Sequence, residues 1–271
     1  MTTSLGKTGI WQISTQLDPE LAAEVESLGY GTIWVGGSPP ADLAIAEQLL
    51  DATRQITVAT GIVNIWSAAP EPVAESFHRI NAKHPGRFVL GIGAGHREMN
   101  DDYRKPYQAL VDYLDALDAA GVPQSQRVLA ALGPKVLELA RGRAAGAHPY
   151  LTTPEHTRHA REILGGALLA PEQKVVVDTD PQRAREAGRD IVGRYLQLAN
   201  YTRNLERHGF TAEDVEPPGS DRLVDALALH GTPEQIARGI DAHLQAGADH
   251  VAIQVLGDPL PGYRALAAAL R

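Results

Sequence analysis

The sequence predicts an α/β protein built as a closed (β/α)8 TIM barrel of parallel strands. Eight short runs rich in β-branched or aromatic residues, each bounded by Gly or Pro, alternate with longer stretches of helical spacing. These runs span residues 9–14, 32–36, 56–64, 88–95, 127–132, 147–152, 174–178 and 250–256. Strands joined through helices pair in parallel, and eight of them favour closure into a barrel. An open, doubly wound sheet is the alternative fold.

The predicted helix boundaries support the same alternation. A capping side chain followed by Pro, the preferred helix start, occurs at residues 18–19, 153–154, 180–181 and 232–233. Thr232 and Gln235 also have the spacing of a capping box. Three helical stretches end on a Gly and run directly into a strand, at residues 28–29, 145–146 and 246–247.

The chain is expected to form a single domain over residues 1–271. No Ser-rich or Gly-rich linker divides it, and its length suits one α/β barrel. Helical patterns over residues 183–208 and 221–229 exceed what one crossover helix needs. They predict a helical insertion before the last strand.

Composition excludes several classes of function. The chain has 25 Lys and Arg against 33 Asp and Glu, so its net charge of -8 argues against a nucleic-acid partner. It has no Cys, which excludes disulfides, thiolate nucleophiles, zinc–thiolate sites and iron–sulfur clusters. Its apolar runs are shorter than a membrane span, and the N-terminus has no signal pattern. We therefore expect a cytoplasmic protein without a membrane partner.

In such a barrel, ligand-binding groups come from the carboxyl ends of the strands. Gly36 and Gly37 follow the second strand and would let a flat ligand approach the main chain, although a tight turn explains them equally well. Asn64 and Trp66 follow the third strand and offer a hydrogen-bonding group and a flat surface. Trp66 taken alone fits a packed surface aromatic better.

The fourth strand ends in glycines at every second position, from residue 91 to residue 95. Glycines at this spacing predict space for a planar group inside the barrel mouth, whereas the spacing does not match a dinucleotide-binding loop. His96 follows at the rim, where it could hold a proton near neutral pH. A lone histidine also has a purely structural interpretation.

The fifth and sixth strands add polar candidates. The helix start at residues 132–135 combines free backbone amides with Lys135 and is typical of a phosphate site, although simple helix initiation also explains it. His148 and Tyr150 end the sixth strand. His156 and His159 lie three residues apart but have no third ligand at a suitable spacing, so no metal site is expected. The acidic residues 98, 101 and 102 fit a solvated surface better than a magnesium site.

Several segments together resemble the bacterial-luciferase-like monooxygenase superfamily, in particular an actinobacterial branch that depends on the deazaflavin coenzyme F420. The similar segments are residues 29–35, 57–62, 85–96, 132–135, 147–156, 231–234 and 246–251, of which residues 87–96 are the most specific. The resemblance implies a (β/α)8 barrel, in agreement with the strand pattern. It also implies a cofactor ring lying across the barrel mouth, and subunits that commonly pair as homodimers.

The resemblance assigns site residues as well. A bulge with a non-proline cis peptide that supports the ring would fall at Val63, Asn64 and Ile65, while Ala94 and Gly95 would line the cofactor. Its phosphate would be held by Leu132, Gly133, Lys135 and Val136. With Gly36 and Gly37 these residues form the predicted cofactor site, and the predicted substrate contacts are Trp66, His148 and Tyr150.

One departure from the family concerns the proton donor. Relatives that use the deazaflavin often carry an Asp-His pair after the second strand, whereas this chain has Gly-Gly-Ser at residues 36–38. His96 falls where some relatives have a catalytic carboxylate, so we hypothesise that His96 supplies the proton.

The resemblance implies an oxidoreductase that transfers a hydride between reduced coenzyme F420 and a C=C, C=N or C=O group of a small molecule or peptide. An FMN-dependent monooxygenase and a non-catalytic flavin- or deazaflavin-binding protein are the alternatives. Substrate specificity is expected in residues 97–107 and 195–220, where Tyr195 and Tyr201 either face the mouth or merely pack.

Overall fold

The computed structural model describes residues 4–95 and 105–271. The predicted proton donor, His96, lies outside the described residues, as do the acidic residues 98, 101 and 102. Most of the predicted specificity segment 97–107 lies outside them too.

The described strands follow the predicted order. They are β1 (Thr8–Ile13), β2 (Thr32–Gly36), β3 (Thr57–Thr60), β4 (Val63–Asn64), β5 (Phe88–Gly93), β6 (Arg127–Leu129), β7 (Gly146–Ala147), β8 (Leu168–Leu169), β9 (Glu172–Val176), β10 (Ala228–His230) and β11 (Val251–Val255). The helices between them are α1 (Pro19–Ser27), α2 (Ala44–Asp51), α3 (Pro70–Lys83), α4 (Pro106–Ala119), α5 (Pro134–Arg143), α6 (Pro154–Leu164), α7 (Pro181–Tyr195), α8 (Ala199–Arg207), α9 (Asp221–Leu227), α10 (Pro233–Gln245) and α11 (Pro259–Ala269). This is the alternation that the strand and helix patterns predict.

All described strand pairs are parallel, and the order runs β11-β1-β2-β3-β5-β6-β7-β8. The barrel closes because β8, which pairs with β7, and β9, which pairs with β11, belong to one extended segment interrupted at Ala170 and Pro171. The amides of Ala170 and Glu172 donate to the carbonyls of Ala147 and Pro149 at 2.9 and 2.8 Å, so the ladder with β7 continues across the interruption. The predicted barrel is confirmed.

The predicted capping residues begin helices as expected. Asp18 accepts from the amide of Leu21 at 2.8 Å. Thr232 and Gln235 form the complete capping box at the start of α10. Capping satisfies backbone donors that the first turn leaves free, and it fixes where each helix leaves the barrel.

Several strands differ from the sequence prediction, among them β8, which was not predicted. The predicted third strand, residues 56–64, is interrupted after Thr60 and resumes as β4, which pairs with the end of β5. Residues 228–230 form β10 rather than the end of a helix, because they pair with β9. Pairing with a distant strand is not encoded in the local helical pattern, which explains the difference.

The predicted insertion is helical, but it contains three helices rather than two. Between β9 and β10 the chain forms α7, α8 and α9, with a break at residues 196–198 between the first two. The three helices share a hydrophobic cluster of their own that includes Val192, Tyr201 and Leu223. The insertion is therefore a packed unit rather than a loose loop.

Two further cores organise the barrel. The larger lies between the strands and the surrounding helices and includes Ile33, Val58 and Leu90. The smaller fills the barrel interior with side chains from alternate strand positions, among them Trp11 and Trp34. Among the described residues, no helix combines the length and apolarity needed to cross a membrane.

Candidate functional site

The barrel mouth has one side that is nearly free of side chains. Gly36 ends β2, and a Cβ atom at this position would lie 2.1 Å from the ring of Trp11. The Trp11 indole nitrogen donates to the carbonyl of Gly61 at 3.1 Å. Trp11 therefore fills the space that Gly36 leaves, and it forms a floor beneath this side of the mouth.

The alternate glycines of β5 are also close to groups of the chain itself. A Cβ atom at Gly91 would lie 1.8 Å from the carbonyl oxygen of Thr60, and one at Gly93 would lie 2.9 Å from Ala130. The sequence analysis expected these glycines to leave room for a planar ligand. The structure corrects that expectation, because the freed space allows close backbone approach between strands and packing inside the barrel.

Gly37 has a different role, at the rim. It is exposed and has a φ of 78°, a conformation that favours glycine. A Cβ atom there would meet only ordinary van der Waals contacts, at 3.7 Å or more. The Gly36-Gly37 turn thus leaves the backbone bare where a ligand would approach.

The segment between β3 and β5 contains the expected type of bulge, displaced along the chain. The non-proline cis peptide joins Gly61 to Ile62, immediately before the predicted positions Val63, Asn64 and Ile65. Val63 and Asn64 form β4 and pair with Ile92 and Gly93. The bulge is thereby attached to the end of β5.

Trp66 is held by this bulge. Its indole nitrogen donates to the carbonyl of Ala94 at 2.6 Å, and its amide donates to the Asn64 side chain at 3.0 Å. The ring is half-buried. The structure therefore brings together four residues that the sequence analysis named separately, namely Asn64, Ile65, Trp66 and Ala94.

His148, a predicted substrate contact at the end of the sixth predicted strand, lies inside the barrel. Its ring stacks on Trp34, with 4.0 Å between centroids and 9° between planes, and only 1% of the residue is exposed. Its Nδ1 donates to the carbonyl of Ala170 at 2.6 Å. Burial lowers the pKa of His148 to about 4, so the ring is neutral at neutral pH. The role of His148 as a substrate contact stays a prediction.

Tyr150 does reach the mouth, where it is half-buried at the centre of an aromatic cluster. Its ring lies 5.3 Å from Trp11, 5.1 Å from Tyr195 and 6.4 Å from Tyr201. Its hydroxyl donates to the side chain of Gln254, on β11, at 3.1 Å. The insertion thus places the rings of Tyr195 and Tyr201 close to that of Tyr150, a predicted substrate contact.

Beneath this cluster lies a buried ion pair that the sequence analysis missed. Lys174 donates to both carboxylate oxygens of Glu172, at 3.0 and 2.9 Å, and both side chains are almost entirely buried. Burial raises the pKa of Glu172 and lowers that of Lys174, while the charge of each partner opposes the shift of the other. The Lys174 ammonium also lies 3.8 Å from the centre of the Tyr150 ring, a cation–π contact.

A signal for this pair exists in the sequence. Glu172 and Lys174 are two residues apart in a run that is otherwise apolar on both sides, and on a strand such residues face the same way. Charged groups are rarely placed in a barrel interior unless they are paired. The sequence analysis began the strand at residue 174 and so separated the two partners.

The predicted phosphate site coincides with a cavity of about 320 Å³ at the start of α5. Leu132, Gly133 and Pro134 line one side, and His159, Asn204, Arg207 and His208 line the other. Gly133 is the N-cap and provides no side-chain cap. Pro134 has no amide hydrogen and the amide of Val136 donates to the carbonyl of Gly133 at 3.1 Å, so the backbone donor left available in the first turn is that of Lys135. Lys135 is exposed and Val136 half-buried on the first turn, and neither is among the lining residues.

Asn204 gives this cavity an unsatisfied donor. The residue is 3% exposed, and its side-chain nitrogen has no hydrogen-bond partner among the described residues. A buried amide without a partner is costly, whereas a bound anion would satisfy it. The helix start, this amide and the Arg207 side chain together fit a phosphate group.

His156 is bonded within the chain itself. Nε2 of His156 donates to the carbonyl of Leu132 at 2.9 Å, and burial lowers the pKa of this histidine to about 4. In the part of the chain that the structure describes, no group of three or more His, Asp or Glu is arranged to hold a metal ion.

Three comparisons place this geometry among known proteins. At the sequence level, the chain is 24% identical over 264 residues to the 5,10-methylenetetrahydromethanopterin reductase of Archaeoglobus fulgidus, covering 77% of this chain and 78% of that protein. The structure of an F420-dependent secondary alcohol dehydrogenase with an F420-acetone adduct matches at a TM-score of 0.77 and 15% identity, covering 99% of this chain and 100% of the other. The structure of the oxygenating constituent of 3,6-diketocamphane monooxygenase from Pseudomonas putida, in complex with FMN, matches at a TM-score of 0.68 and 14% identity. The match covers 96% of this chain and 95% of the other.

The two structural matches show a shared fold. The family assignment comes from the sequence profile of the luciferase-like monooxygenases, which matches residues 17–250 and hence most of the chain. Strands β2 to β10, the bulge after β3 and the helical insertion lie within the matched range, whereas β1 and β11 flank it. The chain therefore belongs to the luciferase-like monooxygenase family.

Proposed function

We propose that this protein is an F420-dependent oxidoreductase, which transfers a hydride between the reduced deazaflavin and a C=C, C=N or C=O group of a small molecule or peptide. The observation that carries the proposal is the cavity at the start of α5, where the first turn of the helix meets the buried, unpartnered side-chain amide of Asn204. Such a site suits the phosphate of a ring cofactor whose ring lies across the neighbouring barrel mouth.

The ring would be held mainly by backbone. Gly36, Gly37 and the bulge at Val63, Asn64 and Ile65 present an edge with few side chains, and Ala94 continues it along β5. Gly95 follows Ala94 with a φ of 58°, so the chain turns at this point. A bare, preorganised edge orients a planar ring without a large loss of side-chain entropy.

When bound, the deazaflavin supplies the hydride. The residues of the chain orient the acceptor and exclude water. Tyr150, Tyr195 and Tyr201 lie opposite the glycine edge and would form the acceptor wall. The proposed proton donor is His96, and Trp66 is proposed to contact the substrate from the bulge.

The choice of coenzyme F420 over FMN is supported by the comparisons. The F420-dependent dehydrogenase matches at a TM-score of 0.77, whereas the FMN-bound monooxygenase matches at 0.68. An FMN-dependent monooxygenase is the second candidate, favoured by the family to which the chain belongs. FMN also carries a phosphate, so the cavity at α5 fits both cofactors.

A variant of Asn204 tests the phosphate site. Asn204→Leu removes the buried donor, and Asn200→Leu, at an exposed position of the same helix, is the matched control. Fluorescence titration with coenzyme F420 should show binding weakened about tenfold by Asn204→Leu and unchanged by Asn200→Leu. Equal affinities for the parent and the Asn204 variant would remove this cavity from the cofactor site.

His96→Ala tests the proton donor. The variant should bind the coenzyme with unchanged affinity and turn over more slowly, by a factor on the order of 100 or more for a lost general acid. Turnover at the parent rate would contradict this role. Binding of coenzyme F420 without turnover on any acceptor, by the parent protein, would favour the non-catalytic alternative.

A further inference from the structure

The cavity at the start of α5 has a wall whose charge varies with pH. Its titratable lining residues are His159, Arg207 and His208, and none of its lining residues is acidic. An arginine is always charged, whereas a histidine is charged only when protonated, which ordinarily happens close to neutral pH. The two histidines therefore set how strongly this wall attracts an anion.

His208 is the more enclosed of the two histidines. It is the C-cap of α8 and is half-buried, whereas His159 is exposed on α6. Burial lowers the pKa of His208, and the charges of His159 and Arg207 add to this shift. Glu155, on the first turn of α6, opposes it. Without an anion beside it, His208 is therefore neutral at neutral pH.

Next to His208 lies a buried nitrogen atom without a partner. Nε2 of His156 donates to the carbonyl of Leu132, so Nδ1 of the same ring carries the lone pair. This Nδ1 atom is buried and has no hydrogen-bond partner among the described residues. The rings of His156 and His208 meet edge to face, with 5.0 Å between centroids and 78° between planes. A buried acceptor is costly until a donor reaches it, and His208 is the ring that contacts it.

The remaining cations near His208 are committed elsewhere. Arg222, on α9, lines a neighbouring cavity that His208 also lines, and it pairs with Asp214 at 2.6 Å. Lys135, on the first turn of α5, is exposed and is not among the residues that line the cavity at α5. A change of charge at this wall therefore falls to the histidines.

The number of N–H groups on His208 decides what it can bind. A neutral imidazole has one N–H group, whereas an imidazolium has two. One N–H group serves either the lone pair of His156 or an anion in the cavity, and two serve both. A nearby negative charge also favours the protonated form of a histidine.

We propose that the cavity at α5 binds a phosphate-type anion together with a proton, which His208 takes up from the solvent. The imidazolium donates one N–H group to the anion and the other to Nδ1 of His156. Since His156 is bonded to the Leu132 carbonyl, this chain of hydrogen bonds links the anion to the start of α5. The inference rests on the proposed function, because that function places a phosphate in this cavity.

Isothermal titration calorimetry of the parent protein with sulfate tests the proposal. Sulfate keeps both negative charges near neutral pH, so any proton that is taken up goes to the protein. Titrations in two buffers with different heats of ionisation count the protons. Slightly above neutral pH, the parent should take up about one proton, and its Kd for sulfate should rise by up to roughly tenfold per pH unit. Binding of sulfate without proton uptake would overturn the proposal.

Two matched variants identify the residue that takes up the proton. His208→Gln keeps a side chain that can donate a hydrogen bond but cannot be protonated, so it should bind sulfate with no proton uptake and no dependence of Kd on pH. His159→Gln is the control, because His159 lines the same cavity, 5.5 Å from the His208 ring, but lies within 3.9 Å of Glu162. This control should keep the uptake. Proton uptake that persists in His208→Gln would overturn the assignment.

A second measurement does not depend on how a variant folds. Histidine ring signals of the parent protein are titrated by NMR with and without sulfate, and the signal absent from His208→Gln belongs to His208. Its pKa should rise by at least about one unit in saturating sulfate. An unchanged pKa would contradict proton uptake by this residue. Thermal unfolding identifies a variant that has lost its fold.

The failure of the proposed function is recognised separately, by titration with coenzyme F420 in place of sulfate. Proton uptake with sulfate but no binding of the coenzyme would support the proton-coupled anion site while the proposed function fails. Binding of the coenzyme with the same proton count in the parent and in His208→Gln would overturn this inference and leave the proposed function standing. If neither sulfate nor the coenzyme binds, both are overturned.

Discussion

The two sides of the barrel mouth are built on different principles. At the ends of β2 and β3 the chain places glycines, of which Gly36 is buried against Trp11, Gly61 is half-buried and Gly37 is exposed. At the ends of β7, β9 and β11 it places large polar side chains, with Tyr150 resting on the Lys174 ammonium. We call these the glycine side and the tyrosine side.

The difference shows how one barrel can separate two tasks. The glycine side fixes a shape, because Trp11 and the interstrand contacts leave its backbone little freedom. The tyrosine side fixes an electrostatic environment, because the buried ion pair lies against the Tyr150 ring and the Tyr150 hydroxyl is bonded to Gln254. A planar cofactor needs the first, and discrimination among acceptors needs the second.

The largest expected effect comes from breaking the ion pair under the tyrosine side. Lys174→Met leaves the Glu172 carboxylate buried without its partner, which should cost about 3–5 kcal/mol of unfolding free energy. Urea unfolding measures the change. The double variant Glu172→Gln with Lys174→Met removes both charges and should recover most of the loss. If the double variant is as unstable as the single one, the ion pair is not the cause.

The glycine side is tested by adding one methyl group. Gly36→Ala forces a Cβ atom to within 2.1 Å of the Trp11 ring, so overpacking should cost about 1–3 kcal/mol. The control is Gly142→Ala, where no atom lies within 4 Å of the new Cβ and the residue is in a helix. That control should be neutral or slightly stabilising. A Gly36→Ala protein as stable as its parent would show that Trp11 moves freely.

The buried histidine between the two sides predicts a dependence of stability on pH. The pKa of His148 is about 4 in the folded protein and 6.5 in the unfolded chain, so the unfolded state binds more protons as the pH falls. Stability is therefore full above pH 6.5 and declines towards pH 4. Between pH 8 and pH 5, His148→Gln should lose about 2 kcal/mol less unfolding free energy than the parent. If the unfolding free energies of the parent and of His148→Gln fell in parallel with pH, a neutral, buried His148 would be contradicted.

The smallest expected effect is on the tyrosine side. Tyr150→Phe removes the hydrogen bond to Gln254 but keeps the ring over Lys174, so it should cost about 1 kcal/mol of unfolding free energy. Calorimetric unfolding measures this loss. If Tyr150 belongs to the acceptor wall, the variant should also raise the KM for the acceptor while leaving the affinity for the cofactor unchanged. A shift in cofactor affinity instead would place Tyr150 on the cofactor side.

The sequence predicts the repeating parts of this fold and misses contacts between distant segments. The strand predicted at residues 32–36 matches β2 residue for residue, because its boundaries are local glycines. By contrast, β8 and β10 form only through pairing with β7 and β9, so no local pattern marks them. Pairing between distant segments is also why the sequence does not predict which residues contact each other at the candidate site. Trp11 meets Gly36, and Tyr201 meets Tyr150, only after the barrel has closed.

The central claim is that the glycine side and the cavity at α5 together bind a deazaflavin. The direct measurement is a parallel titration of the purified protein with coenzyme F420 and with FMN, followed by fluorescence. We expect coenzyme F420 to bind at least about tenfold more tightly than FMN, a difference of roughly 1.4 kcal/mol. Equal affinities, tighter binding of FMN, or binding of neither cofactor would contradict it.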